Sequence, residues 1–193
     1  MLDFNTVISE YNTPIDLIKM LEALDIITLN HSIRVYEICK IVENELNLHD
    51  RKLSEAGLYH DIGKYFITTK LLNKRGKLNK IERAVIDSHS YLSYKILKFY
   101  NIEDDICKIA LYHHNFKPNI YFDTDIDLLS TNDEVKKLSK ILKTIDIYEA
   151  LTADRSYHRG YSSNIAIKMI LNTVPDCDIS TLQVIEKHSI ELE

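Results

Sequence analysis

Apolar residues recur along this chain at helical spacing, segment after segment. From about 30 to 47, Val35, Ile38, Cys39, Val42 and Leu46 follow the i, i+3, i+4, i+7, i+11 rule of one buried helical face. Before it, Thr13 followed by Pro14 reads as a cap with proline at the first helical position, opening a helix to about residue 28. Asp50 caps a third helix through Leu53, Ala56, Gly57 and His60. Asn79 with Glu82 forms a capping-box pattern and opens a fourth, with Val85, Leu92 and Ile96 on one face. A fifth spans about 103–114, with Ile106, Ile109 and Ala110 inward. A sixth runs from Asp133 into the 150s through Val135, Leu138, Leu142 and Ile145. Shorter helices follow near 163–173 and 179–190. No period-2 run is long enough for a sheet, so the expected fold class is all-α, a helical bundle. One long irregular connection remains at about 115–132, "NFKPNIYFDTDIDLLSTN". Loops of that length are uncommon in compact domains and often functional.

Composition narrows this picture. The 193 residues are 45% hydrophobic and 27% charged, a globular balance, and suffice for one domain with a core that needs no disulfides. A net charge of −5 argues against a general nucleic-acid binder, which calls for a basic excess. It leaves room for a small phosphorylated substrate, since two or three local cations suffice. Cys39, Cys107 and Cys177 are odd in number and form no CxxC pair, so neither a disulfide framework nor a Cys-rich zinc site is expected. The start, "MLDFNTVISEYNTP", lacks a basic n-region, and no segment has the apolar length of a membrane span. A cytoplasmic protein without signal peptide is the expectation.

The chemistry gathers around "GLYHDIGKYF", residues 57–66, where His60, Asp61 and Lys64 sit between apolar segments. Burying such groups without partners costs several kcal/mol. A metal ion is one way to offset that, and a solvated cleft is another. Five of the eight histidines fall on apolar faces. His31 lies four residues before Val35, and His60 four after Ala56. His89 stands between Val85 and Leu92, while His113 and His114 extend the stripe of the fifth helix. Asp146 follows Leu142 by four. A lone histidine on an apolar face is usually a core residue bonded to a carbonyl. Five imidazoles and two carboxylates on five helices are another matter, because one metal centre satisfies them together, as helical bundles do between facing helices. Imidazole and carboxylate without thiolate suit iron, manganese, nickel or zinc in a catalytic setting. Seven ligands are too many for one ion but right for two if Asp61 bridges them. Two ions about 3.5–4 Å apart can clamp both oxygens of an in-line displacement at phosphorus. His49, His158 and His188 are expected to face solvent.

The ordered set His31, His60-Asp61, His89, His113-His114 and Asp146 resembles the HD superfamily of metal-dependent phosphohydrolases. "HSIRVYEI", "LYHDIGKYFITTKLLNKRGKLNKIE", "SHSYLSYKIL", "IALYHHN" and "IDIYEALTADRSYHRGYS" are similar to the HD-GYP branch, whose known members hydrolyse cyclic di-GMP. The resemblance covers about residues 28–170. It implies an HD-domain bundle with a dinuclear site between helices: residues 29–193 form the phosphohydrolase domain and 1–28 an N-terminal helical extension. It further implies that His31, His60, Asp61 and Asp146 hold one metal, with Asp61 bridging to a second held by His89, His113 and His114. Lys64 matches the family lysine that contacts the substrate phosphate, and Arg155 in "ADRSYH" matches an arginine that grips a phosphate nearby. Fixed cations there suit a reaction that builds negative charge on phosphoryl oxygens. The cofactors implied are two divalent transition-metal ions, iron or manganese by preference, with nickel, cobalt or zinc also compatible.

Three departures qualify the resemblance. After the paired histidines the family has a Glu, then Asp-Gly, then Gly-Tyr-Pro, whereas this chain reads "HHNFKPNIYFDTD" with Asn115 in place of the acid and no glycine in the loop. Backbone angles that glycine permits are closed to it, so the loop takes another shape. "RGYS" at 159–162 is a chance echo of the signature. Members with three metals use a glutamate one turn before the first histidine, where this chain has Ile27, so no third ion is expected. Only about 28 residues precede the catalytic-looking region, so regulation is expected from a partner or from the loop. The expected function is hydrolysis of a phosphodiester, a cyclic dinucleotide such as cyclic di-GMP. The alternatives are a nucleotidase or phosphomonoesterase on the same scaffold, and a nucleotide-binding signalling module without turnover.

Overall fold

The computed structural model describes residues 13–48, 50–114, 131–154 and 159–192. Helix α1, Ile15–Glu22, begins directly after Pro14, and α2, Ile26–Glu45, follows three residues after α1 ends. The first boundary therefore lies at 23–25, earlier than the sequence pattern suggests. Asp25 is the reason: its carboxylate accepts from the backbone N–H groups of Ile27 and Thr28 at 3.2 Å and from the Thr28 hydroxyl at 2.6 Å. That is an N-cap, and it restarts the helix.

Helix α3, Lys52–Tyr59, is capped not by Asp50 but by Arg51 in the left-handed region, with Asp50 accepting from the Lys52 N–H. A 3-10 turn, Ile62–Phe66, and the short α4, Thr69–Leu72, come next. The capping box of Asn79 and Glu82 is present and opens α5, Lys80–Asp87. The expected single fourth helix is in fact two, because the chain breaks at Ser88 before α6, His89–Phe99. The Ser88 hydroxyl closes α5 on the Val85 carbonyl at 2.6 Å. The break resets the helical phase, so Val85 is exposed rather than inward. Helices α7, Asp104–Tyr112, and α8, Asp133–Thr152, follow the pattern closely. They are succeeded by α9, Ser163–Thr173, α10, Ile179–Lys187, and α11, Ser189–Leu192. Among the described residues there is no strand, and the fold is all-α. No helix among them is long and apolar enough to cross a membrane.

Two apolar clusters hold the helices together. One joins α2, α3, α7, α8, α9 and α10 through side chains such as Cys39, Leu53, Ile109, Leu142, Ile170 and Ile185. The other ties α1, α2, α3, α6 and α7 through Leu17, Tyr36, Leu58, Leu97 and Leu111. All three cysteines are buried and unpaired. His188 is half-buried against Glu45 at 2.9 Å, not free in solvent as expected from sequence. His49 and His158 lie outside the described residues, as does 115–130 of the long loop.

One close approach sets the interior of the bundle. The Ser93 hydroxyl on α6 donates to the His60 carbonyl at 2.6 Å and accepts from the Gly63 N–H at 2.9 Å. A Cβ on Gly63 would lie 2.1 Å from the His89 carbonyl oxygen. Only glycine lets the 3-10 turn sit this close to α6. That contact brings His60 and Asp61 beside His89.

Candidate metal centre

The candidate ligands collect where helix ends meet. His60 immediately follows α3, His89 opens α6, and His113 immediately follows α7. Each points its Nδ1 at the carbonyl three residues earlier: Gly57 at 2.7 Å, Ile86 at 2.6 Å and Ala110 at 2.6 Å. A carbonyl only accepts, so Nδ1 carries the proton and the Nε2 lone pair faces inward. That is the tautomer of a histidine ready to ligate. Burial drives the imidazolium pKa of all three down, to about 4 for His89, so they are neutral at physiological pH.

Two groups of ligand atoms result, each with all members within 4.8 Å of one another. His31, His60 and Asp61 form the first, and His89, His113 and His114 the second. Asp61 stands between them, with Oδ2 3.4 Å from His60 Nε2 and Oδ1 3.3 Å from His89 Nε2. Asp146, from α8, places Oδ1 3.0 Å from His31 Nε2 and Oδ2 3.8 Å from His114 Nε2. It therefore also reaches toward both groups, a link the sequence did not suggest. His114 is 43% exposed at its side chain, so four rather than five of these imidazoles are buried. The helix ends at Tyr112, and the phase that would turn His114 inward ends with it.

Hydrogen bonds among the described residues do not satisfy this arrangement. The Nε2 atoms of His89 and His113 are both lone pairs, yet they face each other at 3.4 Å. Asp61 Oδ1 is buried with no hydrogen-bond partner among the described residues. Apart from the Ser90 hydroxyl, 3.4 Å from His89 Nε2, no donor among the described residues addresses these three acceptors. A water has two protons for three acceptors. A cation suits them all, and the donor set, imidazole and carboxylate without thiolate, fits a divalent transition metal.

The carboxylates are ready as well. Burial alone would raise the pKa of Asp61, but the Lys64 ammonium above all, with the imidazoles of His60, His89 and His31 around it, holds it well below the usual carboxylate range. Asp146 is likewise held low against burial, by its hydrogen bond to His31 and by neighbouring imidazoles. For His31 burial again opposes the charged form, yet Asp146 and Glu149 outweigh it and raise the pKa to about 9. A cation entering between His31 and Asp146 therefore displaces a proton.

Glu149 is the residue that sequence reasoning missed. It is buried on α8, three residues after Asp146, and its carboxylate accepts from His31 Nδ1. Arg34, three residues after His31, grips the other oxygen of Glu149. The result is a guanidinium–carboxylate–imidazole chain that fixes which nitrogen of His31 faces the centre. The i, i+3 spacing on both helices was the available signal. Glu149→Gln is expected to weaken metal binding by about 10–100-fold while the fold persists. Metal titration followed by circular dichroism checks this, and unchanged affinity would mean that Glu149 does not orient His31 for a metal.

Lys64 sits one turn beyond Asp61, its Nζ 2.5 Å from Asp61 Oδ2. It also lines a cavity of about 380 Å³ together with His31, His114 and Asp146. Arg155 lies outside the described residues.

The described residues form a helical domain with grouped histidines and aspartates at its centre, and comparison with known proteins places it. The chain matches the HD domain family over residues 28–151. It belongs to that family. Among curated proteins it is 27% identical over 167 residues to 3'3'-cGAMP-specific phosphodiesterase 3 of Vibrio cholerae, covering 82% of this chain and 35% of the relative. It is 26% identical to the cyclic di-GMP phosphodiesterase PA4108 of Pseudomonas aeruginosa, covering 84% and 39%. The chain thus spans well under half the length of these relatives. Among solved structures, the HD domain of the L. monocytogenes phosphodiesterase PgpH in complex with cyclic-di-AMP aligns with a TM-score of 0.65 at 22% identity, covering 93% of this chain and 96% of that one. That likeness concerns the fold.

Proposed function

We propose that this chain is a metal-dependent phosphohydrolase that opens a phosphodiester bond, with a cyclic dinucleotide as substrate. One observation carries the reading: two groups of inward ligand atoms are joined by a carboxylate with an orphaned buried oxygen, beside a lysine that lines a cavity. His31, His60, Asp61 and Asp146 would hold one ion, and Asp61, His89, His113 and His114 the other. Iron or manganese is preferred, and nickel, cobalt or zinc is compatible. When bound, the ions supply Lewis acidity to the phosphoryl group and to the attacking water.

The chain's own residues do the rest. Asp61, kept ionised, ties the two groups together and holds the Lys64 ammonium at their edge. From there Lys64 faces the cavity, where a nonbridging phosphoryl oxygen gains charge as water adds to phosphorus. One ring P–O bond breaks, and the linear dinucleotide leaves with a terminal phosphate. Arg155 remains proposed as a second phosphate contact. The wording of the motifs favours the HD-GYP-like branch, with residues 29–193 as the phosphohydrolase domain and 1–28 as its extension. The names of the two curated relatives support the substrate class.

Manganese-loaded protein incubated in parallel with an aryl diester, an aryl monoester and cyclic di-GMP tests the reading. Diester and dinucleotide turnover is expected. Turnover of the monoester alone would replace it with a phosphomonoesterase, and tight dinucleotide binding without turnover of any substrate would replace it with a signalling module.

A further inference from the structure

The cavity above the centre has two unlike ends. Its buried end is made by His31 and Asp146, with Lys64 at their edge. Its exposed wall is the segment Leu72–Arg75, which runs on from the last residue of α4 and lines the cavity together with Asp25, Ile27 and Thr28. That segment is firmly tied. Lys74 Nζ meets both carboxylate oxygens of Glu82 at 2.6 Å, and Glu82 is itself fixed by the capping box with Asn79. The Asn73 N–H reaches the Thr69 carbonyl at 2.9 Å, and Gly76 turns the chain at φ +110, a conformation that favours glycine.

Between these ties stands Arg75. Lys74 is neutralised by Glu82, and Asp25 across the cavity is engaged in capping α2. Arg75 has no ion-pair or hydrogen-bond partner among the described residues, yet it lines the cavity. A guanidinium without a partner among the described residues, on a tied loop opposite a centre suited to phosphoryl chemistry, has the chemistry of a phosphate receptor. A volume of about 380 Å³ suits a small molecule rather than a polymer.

We infer that Arg75 is a specificity-determining side chain that receives the phosphate not being cleaved. This rests on the proposed reaction. A cyclic dinucleotide carries two phosphodiesters on opposite sides of its ring. The scissile one belongs at the buried end with Lys64, which leaves the other to the exposed wall. A substrate with a single phosphate has nothing to place there.

The experiment compares wild type, Arg75→Ala and Arg75→Lys on cyclic di-GMP and on bis(p-nitrophenyl) phosphate, with manganese present. For Arg75→Ala, KM for the dinucleotide is expected to rise at least ~10-fold, as losing a hydrogen bond to a charged group entails. The kinetics of the aryl diester stay within about 2-fold by the same reasoning, since that substrate never contacts residue 75. Arg75→Lys keeps the charge and recovers part of the loss. An equal fall on both substrates, or no change on either, overturns the inference. Dinucleotide binding is measured alongside by calorimetry. A wild type that binds without turnover defeats the proposed reaction alone, because the dissociation constants of the variants still decide the role of Arg75. A wild type that neither binds nor cleaves the dinucleotide defeats both.

Discussion

Asp61→Ala is expected to yield folded protein that neither retains metal nor turns over substrate. Asp61 sets its two oxygens beside both histidine groups, 3.4 Å from His60 Nε2 and 3.3 Å from His89 Nε2, whereas the second oxygen of Asp146 stays 3.8 Å from His114 Nε2. Removing it takes from both groups the carboxylate that stands between them, and with it a buried negative charge that attracts a cation. Asp61→Asn is the sharper variant. It preserves volume but supplies at most one neutral ligand oxygen, so it should also lose metal. Elemental analysis, thermal unfolding and activity on an aryl diester would be read together. Full metal retention in both variants would show that Asp61 does not join the two sites.

Lys64→Ala should separate binding from rate. Its ammonium touches Asp61 rather than an imidazole lone pair, and it lines the cavity instead of closing it. Metal content should therefore stay near that of wild type, and the rate should fall by about 10²-fold or more, the usual effect of losing one charge-stabilising donor. The loss should appear in kcat rather than KM, since the ammonium acts on charge that develops as phosphorus is attacked. If Lys64→Ala loses metal as completely as Asp61→Ala, Lys64 holds the site together instead of acting on substrate.

The helices and the grouping of the candidate ligands were legible in the sequence because both follow the same 3.6-residue period. His31 continues the stripe of Val35 and Cys39, and Asp146 that of Leu142, so their burial could be read directly. What failed lies at the ends of elements. The Asp25 cap and the break at Ser88 are decided by the hydrogen bonds of one side chain each, which a period of apolar residues does not register. Val85 was placed inward by carrying one phase across the break at Ser88, and His114 by extending a phase past the point where its helix stops. Glu149 was hidden for a different reason. Its burial depends on pairing with His31 and Arg34 across two helices, and a charged residue near a helix end reads as solvated until that partner is known. Arg75 sits in a basic run, "NKRGK", where charge alone cannot distinguish the lysine paired with Glu82 from the arginine that has no partner among the described residues.

The central claim is that the two groups of histidines and aspartates are metal sites and not a polar core. Metal analysis of protein purified anaerobically without chelator addresses it most directly. Close to two transition-metal ions per chain are expected, iron or manganese foremost, released by a chelator and restored on addition. Protein that carries no metal and takes none up when it is supplied would contradict the claim.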